Sequence, residues 1–188
     1  MDGYMFSDRT SAGEQLAEAL VQDGVARPDP VVLALPRGGV PVALEIARGL
    51  GAPLDLILVR KIGAPRQPEL AAAAVVDGDD PQMVVNEEIV RGTGMTQAEL
   101  DTARDEQLRE IERRRAEYLG NRAPVAVAGR DAIVADDGIA TGATMRTALR
   151  ALRRKGPRTL TLAVPVAAPD ALEAMRGEVD HALALSTP

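Results

Sequence analysis

The chain has 188 residues and a formal net charge of -6, with 46% hydrophobic but only 2% aromatic residues and no cysteine. That length suits about one domain with one aliphatic core, and the acidic balance speaks against a general nucleic-acid or anionic-membrane surface. Without cysteine there is no disulfide framework, thiolate zinc site or catalytic thiol. No apolar run reaches the roughly 20 residues of a membrane span, and Met1 to Leu20 lacks a basic-then-apolar leader, so a cytoplasmic protein with no membrane partner is expected.

Asp8, Thr10 or Ser11 can cap a first helix, Ser11 and Glu14 having capping-box spacing, and Ala12, Leu16, Ala19 and Leu20 give it one apolar face. Pro28 and Pro30 break the chain before Val31 to Leu35, a buried-strand run. Val40 to Leu50 reads as a helix with Pro41 near its start and Gly51 past its end. Leu54 to Val59 is expected as a second buried strand. Arg60 to Glu69 then holds Gly63, Pro65, Pro68 and the cations Arg60, Lys61 and Arg66, which predicts a mobile cationic loop. Ala71 to Val76 and Met83 to Val85 read as short strands around the turn Asp77 to Pro81.

Thr96 to Leu119 is the longest helical stretch. Asp105/Arg109 and Glu110/Arg114 lie at i,i+4 spacing, and Leu100, Leu108, Ile111, Tyr118 and Leu119 form a narrow apolar stripe suited to a partner subunit. Arg113, Arg114 and Arg115 point about 100° apart on a helix among glutamates, a solvated face rather than a nucleic-acid surface. Asp131 to Ala135 is a central strand, and a helix runs to Lys155, where Gly156-Pro157 stops it. Thr159 to Val164 and His181 to Leu185 are further strands, with a short helix from Pro169 to Met175 between them. His181, the one histidine, reads as a structural strand residue, and Asp77, Asp79 and Asp80 lack the spacing of a calcium loop. The alternation predicts an α/β fold: a doubly wound, mainly parallel sheet flanked by helices.

The chemistry concentrates at Ile133 to Met145. An apolar run ends in Asp136 and Asp137, a loop of Gly138, Ile139, Ala140, Thr141, Gly142 and Ala143 follows, and from Thr144 the apolar positions recur at helical spacing. Strand, tight loop and helix aim backbone N–H groups and a helix dipole at the loop, which suits a phosphate. Two carboxylates beside it suit a phosphorylated sugar, whose hydroxyls they can accept. A Walker A loop would need Lys where Ala143 stands, and Gly92/Gly94 make only a partial dinucleotide fingerprint. Pro36-Arg37-Gly38-Gly39-Val40 follows its own strand in the same manner, Arg37 offering bidentate donors to an anion.

The Asp136 to Thr144 segment resembles the phosphoribosyl-pyrophosphate (PRPP) motif of type I phosphoribosyltransferases. With LALPRGGVPVA, LVRKIGAPRQPELA, VNEE and LAVPVAAP, the resemblance runs from Phe6 to about Thr187. It implies one phosphoribosyltransferase-like domain over residues 1–188, with a core at about 29–168, a small hood from about 1–28 and 169–188, and the helical segment at about 96–119. It implies transfer of ribose 5-phosphate from PRPP to a nucleobase-like or other nitrogen acceptor, with release of pyrophosphate and with Mg2+ bound mainly through PRPP. Asp136 and Asp137 would hold the ribose, and Gly138, Ile139, Ala140, Thr141, Gly142, Ala143 and Thr144 the 5-phosphate. Arg37, Gly38 and Gly39 would bind pyrophosphate, a loop that in the resembled enzymes often carries a cis non-proline peptide. Lys61 and Arg66 would be catalytic, stabilising pyrophosphate as it departs. A homodimer is expected. Ala140 replaces the acid that purine-salvage members place before Thr-Gly, which argues against that acceptor type. The chain stops sooner than relatives do, at Ser186-Thr187-Pro188, which gives the alternative of a non-catalytic PRPP-binding regulator or sensor.

Overall fold

The computed structural model describes residues 6–25 and 28–188. It divides into two compact units, residues 1–57 with 125–188 and residues 58–124. The parts of the expected hood at residues 1–5 and 26–27 lie outside the described residues.

The first unit contains α1 (Arg9–Gln22), β1 (Pro30–Ala34), α2 (Gly39–Leu50), β2 (Leu54–Leu56), β6 (Asp131–Ala135), α5 (Ala143–Arg154), β7 (Thr159–Val166), α6 (Pro169–Arg176) and β8 (His181–Ser186). The second contains β3 (Val59–Ala64), β4 (Gln67–Val76), β5 (Gln82–Val85), α3 (Glu87–Thr93) and α4 (Gln97–Leu119).

Five parallel strands in the order β2-β1-β6-β7-β8 form the sheet of the first unit, the α/β architecture expected. The apolar runs become its centre: every residue of β6 is buried, as are Val31 to Ala34 of β1. Asp8 caps α1, accepting from the Ser11 N–H in a reciprocal capping box, so the box is Asp8/Ser11 rather than Ser11/Glu14. Helices α1 and α2 cross at two glycines. A Cβ on Gly13 would meet the Val42 carbonyl at 2.7 Å, and one on Gly49 the Ala17 Cβ at 2.7 Å. The described terminal segments, α1 and β8, thus belong to the same unit as the sheet.

The expected strand Leu54 to Val59 is divided between the units. The Ile57 N–H still donates to Ala34 O on the parallel ladder, whereas the Leu58 N–H donates to the buried Asp77 carboxylate at 2.8 Å, and the chain enters β3.

The second unit is an antiparallel sheet, β3-β4-β5, with α3 and α4. The segment expected as a mobile cationic loop is a hairpin. Ile62 and Ala64 are buried while Lys61 is exposed, an alternation that the glycine and prolines obscured. Its two-residue turn has Pro65 first and Arg66 second with φ 64°, the arrangement of a type II turn. Leu100 and Ile111 of α4 are buried against Ile62, Ala73 and Val75, with Leu108 packed beside them. The apolar stripe offered to a partner subunit is therefore largely consumed within its own unit. Arg113 and Arg114 pair with Glu110, but Arg115 turns inward to the buried Asp77 at 2.9 Å, which departs from a uniformly solvated face.

Candidate active site

β1 and β6 are neighbours in register, with Ala34 beside Ala135, so the loops that follow them leave the sheet side by side. Leu35 N–H donates to Ala135 O at 3.2 Å and prolongs the contact by one residue. The two loops then pack so closely that only glycine fits between them. A Cβ on Gly39 would lie 2.7 Å from Ala135 O and 3.0 Å from Asp136 Cα. A Cβ on Gly38 would overlap the Asp137 carboxylate. The Pro36–Arg37 peptide is cis, and Arg37 is exposed.

Asp136 is more than half buried. Its Oδ1 accepts the Asp137 N–H at 2.8 Å. Burial, with the adjacent Asp137 charge adding to it, raises its pKa from 3.8 to about 6 against the lowering effect of that hydrogen bond. Asp137 is held from outside the loop: Arg9 Nε and Nη2 both donate to its Oδ2, at 3.0 and 2.7 Å.

Beyond the acidic pair, Ile139 turns inward. Its N–H donates to Val166 O at 2.9 Å and its carbonyl accepts from Ala168 N–H at 3.0 Å, pinning the loop to the end of β7. Ala140, Thr141, Ala143 and Thr144 are exposed. Thr144, expected on the apolar face, lies outside it; Met145, Ala148, Leu149 and Leu152 form the buried stripe of α5. Gly142, with φ 74°, begins the helix, and no side chain caps it. The first-turn N–H groups of α5 are open to a ligand with the positive end of the helix dipole. A cavity of about 490 Å3 adjoins Asp137, lined also by Phe6, Arg9 and Pro165.

A family model for the phosphoribosyl transferase domain matches residues 8–182. The chain belongs to this family. Two Mycobacterium tuberculosis proteins, from strains CDC 1551 / Oshkosh and H37Rv, carry a provisional phosphoribosyl transferase name and are each 44% identical to it over 184 residues. The match takes in 98% of this chain but only 41% of either relative, so the chain spans under half of their length. A Thermus thermophilus protein of known crystal structure is 46% identical, with a TM-score of 0.80 over 97% of this chain and 85% of that one. An orotate phosphoribosyltransferase from Aeropyrum pernix, 20% identical, shares the fold with a TM-score of 0.51 over 96% and 72% of the two chains.

Within this phosphoribosyl transferase domain, Gly38 and Gly39 meet Asp137 and Asp136 at one end of the first unit's sheet, with Arg37 exposed in the same loop. Lys61 and Arg66 belong to the second unit, Lys61 exposed on β3 opposite Ala74 and Arg66 at the hairpin tip. Arg60 is half-buried and donates to Gln107 Oε1 at 3.0 Å. Sequence reasoning missed Arg9, 128 residues from its partner, because no spacing links them. Among the described residues no three His, Asp or Glu side chains cluster as a metal site, and no helix is long and apolar enough to cross a membrane.

Proposed function

We propose that the site binds PRPP with Mg2+ and transfers its ribose 5-phosphate to a nitrogen acceptor, releasing pyrophosphate. One observation carries the reading: the acidic pair, the uncapped N-terminus of α5 and the Gly38-Gly39 loop adjoin one another at the carboxyl ends of adjacent parallel strands.

Asp136 and Asp137 accept the ribose hydroxyls. Gly138, Ala140, Thr141, Gly142, Ala143 and Thr144 surround the 5-phosphate with backbone donors and two hydroxyls, while Ile139 anchors the loop through Val166. Arg37, Gly38 and Gly39 receive the pyrophosphate. Lys61 and Arg66 stabilise the negative charge that grows on it as the anomeric bond breaks. The hard carboxylate donors of Asp136 and Asp137 suit Mg2+, an ion that would be carried chiefly on substrate oxygens. When bound, the ion neutralises phosphate charge and makes pyrophosphate a better leaving group.

A cytoplasmic homodimer is part of this reading, its subunit contact sought away from the buried stripe of α4; light scattering that gives a strict monomer contradicts it. The reaction is tested by a pyrophosphate-release assay with PRPP, Mg2+ and pooled nucleobases and small amines. Release dependent on one member of the pool supports transfer and names the acceptor. PRPP binding with no release from any pool favours the non-catalytic regulator or sensor.

A further inference from the structure

Arg9 stands where helix stability does not call for it. It is the first residue of α1, at the positive end of the helix dipole, where a cation is unfavourable. Its side chain is 60% exposed, so its pair with Asp137 adds little to the stability of the fold. Yet it is closely directed: Nε and Nη2 converge on a single oxygen, Oδ2 of Asp137. On another side the same carboxylate lies against Gly38, closely enough to exclude any side chain there. Both Arg9 donors go to Oδ2, so the Oδ1 of Asp137 lies outside that pair.

We propose that Arg9 is a positioning residue of the sugar site, fixing Asp137 through Oδ2 so that Oδ1 is presented to a ribose hydroxyl. The proposal rests on the PRPP reading above. Two donors on one oxygen restrict rotation of the carboxylate, and the missing side chain at Gly38 leaves the room that this orientation occupies. The carboxylate is thereby oriented before substrate arrives, and the ordering cost that binding would otherwise carry is reduced. Arg9 and Phe6 also line the cavity beside Asp137, so the same guanidinium joins the sugar clamp to the space available for an acceptor.

The test is calorimetric titration of PRPP with Mg2+ into the unaltered chain, Arg9→Ala, Arg9→Lys and Asp137→Asn, and into Arg9→Ala combined with Asp137→Asn. Arg9→Ala is expected to weaken binding about fivefold while moving the thermal midpoint by less than about 2 °C. Arg9→Lys should recover part of the loss, and Arg9→Ala should add nothing once Asp137 is Asn. Arg9→Gln gives the same readout if the alanine variant does not fold. Equal binding by the unaltered chain and Arg9→Ala overturns the positioning role and leaves the PRPP reading standing; tighter binding by Arg9→Ala makes Arg9 a competitor of the sugar and overturns it too. A large fall in midpoint alongside the loss of affinity assigns a structural role instead. No PRPP binding by the unaltered chain removes both readings.

Discussion

Gly39 and Ala135 approach so closely that a methyl group on Gly39 would sit 2.7 Å from the Ala135 carbonyl. The obstacle is the backbone of the central strand and cannot yield. Gly39→Ala is therefore expected to destabilise the fold by about 1–3 kcal/mol, measurable by denaturant unfolding. At Gly38 the obstacle is the Asp137 side chain, which can rotate. Gly38→Ala should cost less stability but weaken PRPP binding by about tenfold, near 1.4 kcal/mol. Equal losses of stability in both variants would refute the distinction.

Asp136 links the site to pH. Its pKa in the folded chain is about 6 against an ordinary 3.8, chiefly through burial. Between about pH 4 and 6 the unfolded chain gives up this proton while the folded chain keeps it. The folded state then binds more protons, so this residue's contribution to stability falls as pH rises through that window and stays low above it. Asp136→Asn removes the effect. Thermal melts should show the variant gaining midpoint relative to the unaltered chain from pH 4 to 7, and parallel profiles would contradict the assignment. PRPP binding by the unaltered chain should tighten over the same range as the carboxylate ionises.

The buried pair in the second unit is structural. Asp77 accepts the Leu58 N–H with one oxygen and the Arg115 guanidinium with the other. Asp77→Ala leaves a buried cation and a backbone donor short of their acceptor, at a cost of about 3 kcal/mol. Chemical denaturation checks this, and adding Arg115→Met should reduce the cost.

How legible this was depended on the reach of each signal. The strand at Asp131–Ala135 and the helix Gln97–Leu119 are visible as an apolar run and a helical period. The acidic pair and the Thr-Gly turn are contiguous, so their placement between strand and helix could be read directly. The hairpin Val59–Val76 could not: Gly63 forms a bulge and Pro65 a turn, residues that elsewhere mark loops. The helix Glu87–Thr93 has no buried residue and left no apolar period to detect. Arg9 and Asp137 meet only because the N-terminal helix packs beside the loop end of the sheet, which no local pattern encodes.

The catalytic role proposed for Lys61 and Arg66 predicts that binding and turnover can be separated. Both are exposed cations of one hairpin. Lys61→Ala and Arg66→Ala are each expected to slow pyrophosphate release about tenfold or more while PRPP affinity changes little, as stopped assays and calorimetry can separate. Unchanged release in both variants would remove the catalytic role. Arg66→Gly, which relieves the positive φ, should lose the same activity without losing stability.

The most direct measurement is calorimetric titration of PRPP with Mg2+ into the unaltered chain and into the Asp136→Asn, Asp137→Asn double variant. Saturable one-site binding by the unaltered chain, weakened at least about a hundredfold in the double variant, near 2.7 kcal/mol, is the expected result. Absence of binding by the unaltered chain, or equal binding by both proteins, would contradict the assignment of the acidic pair as the ribose clamp.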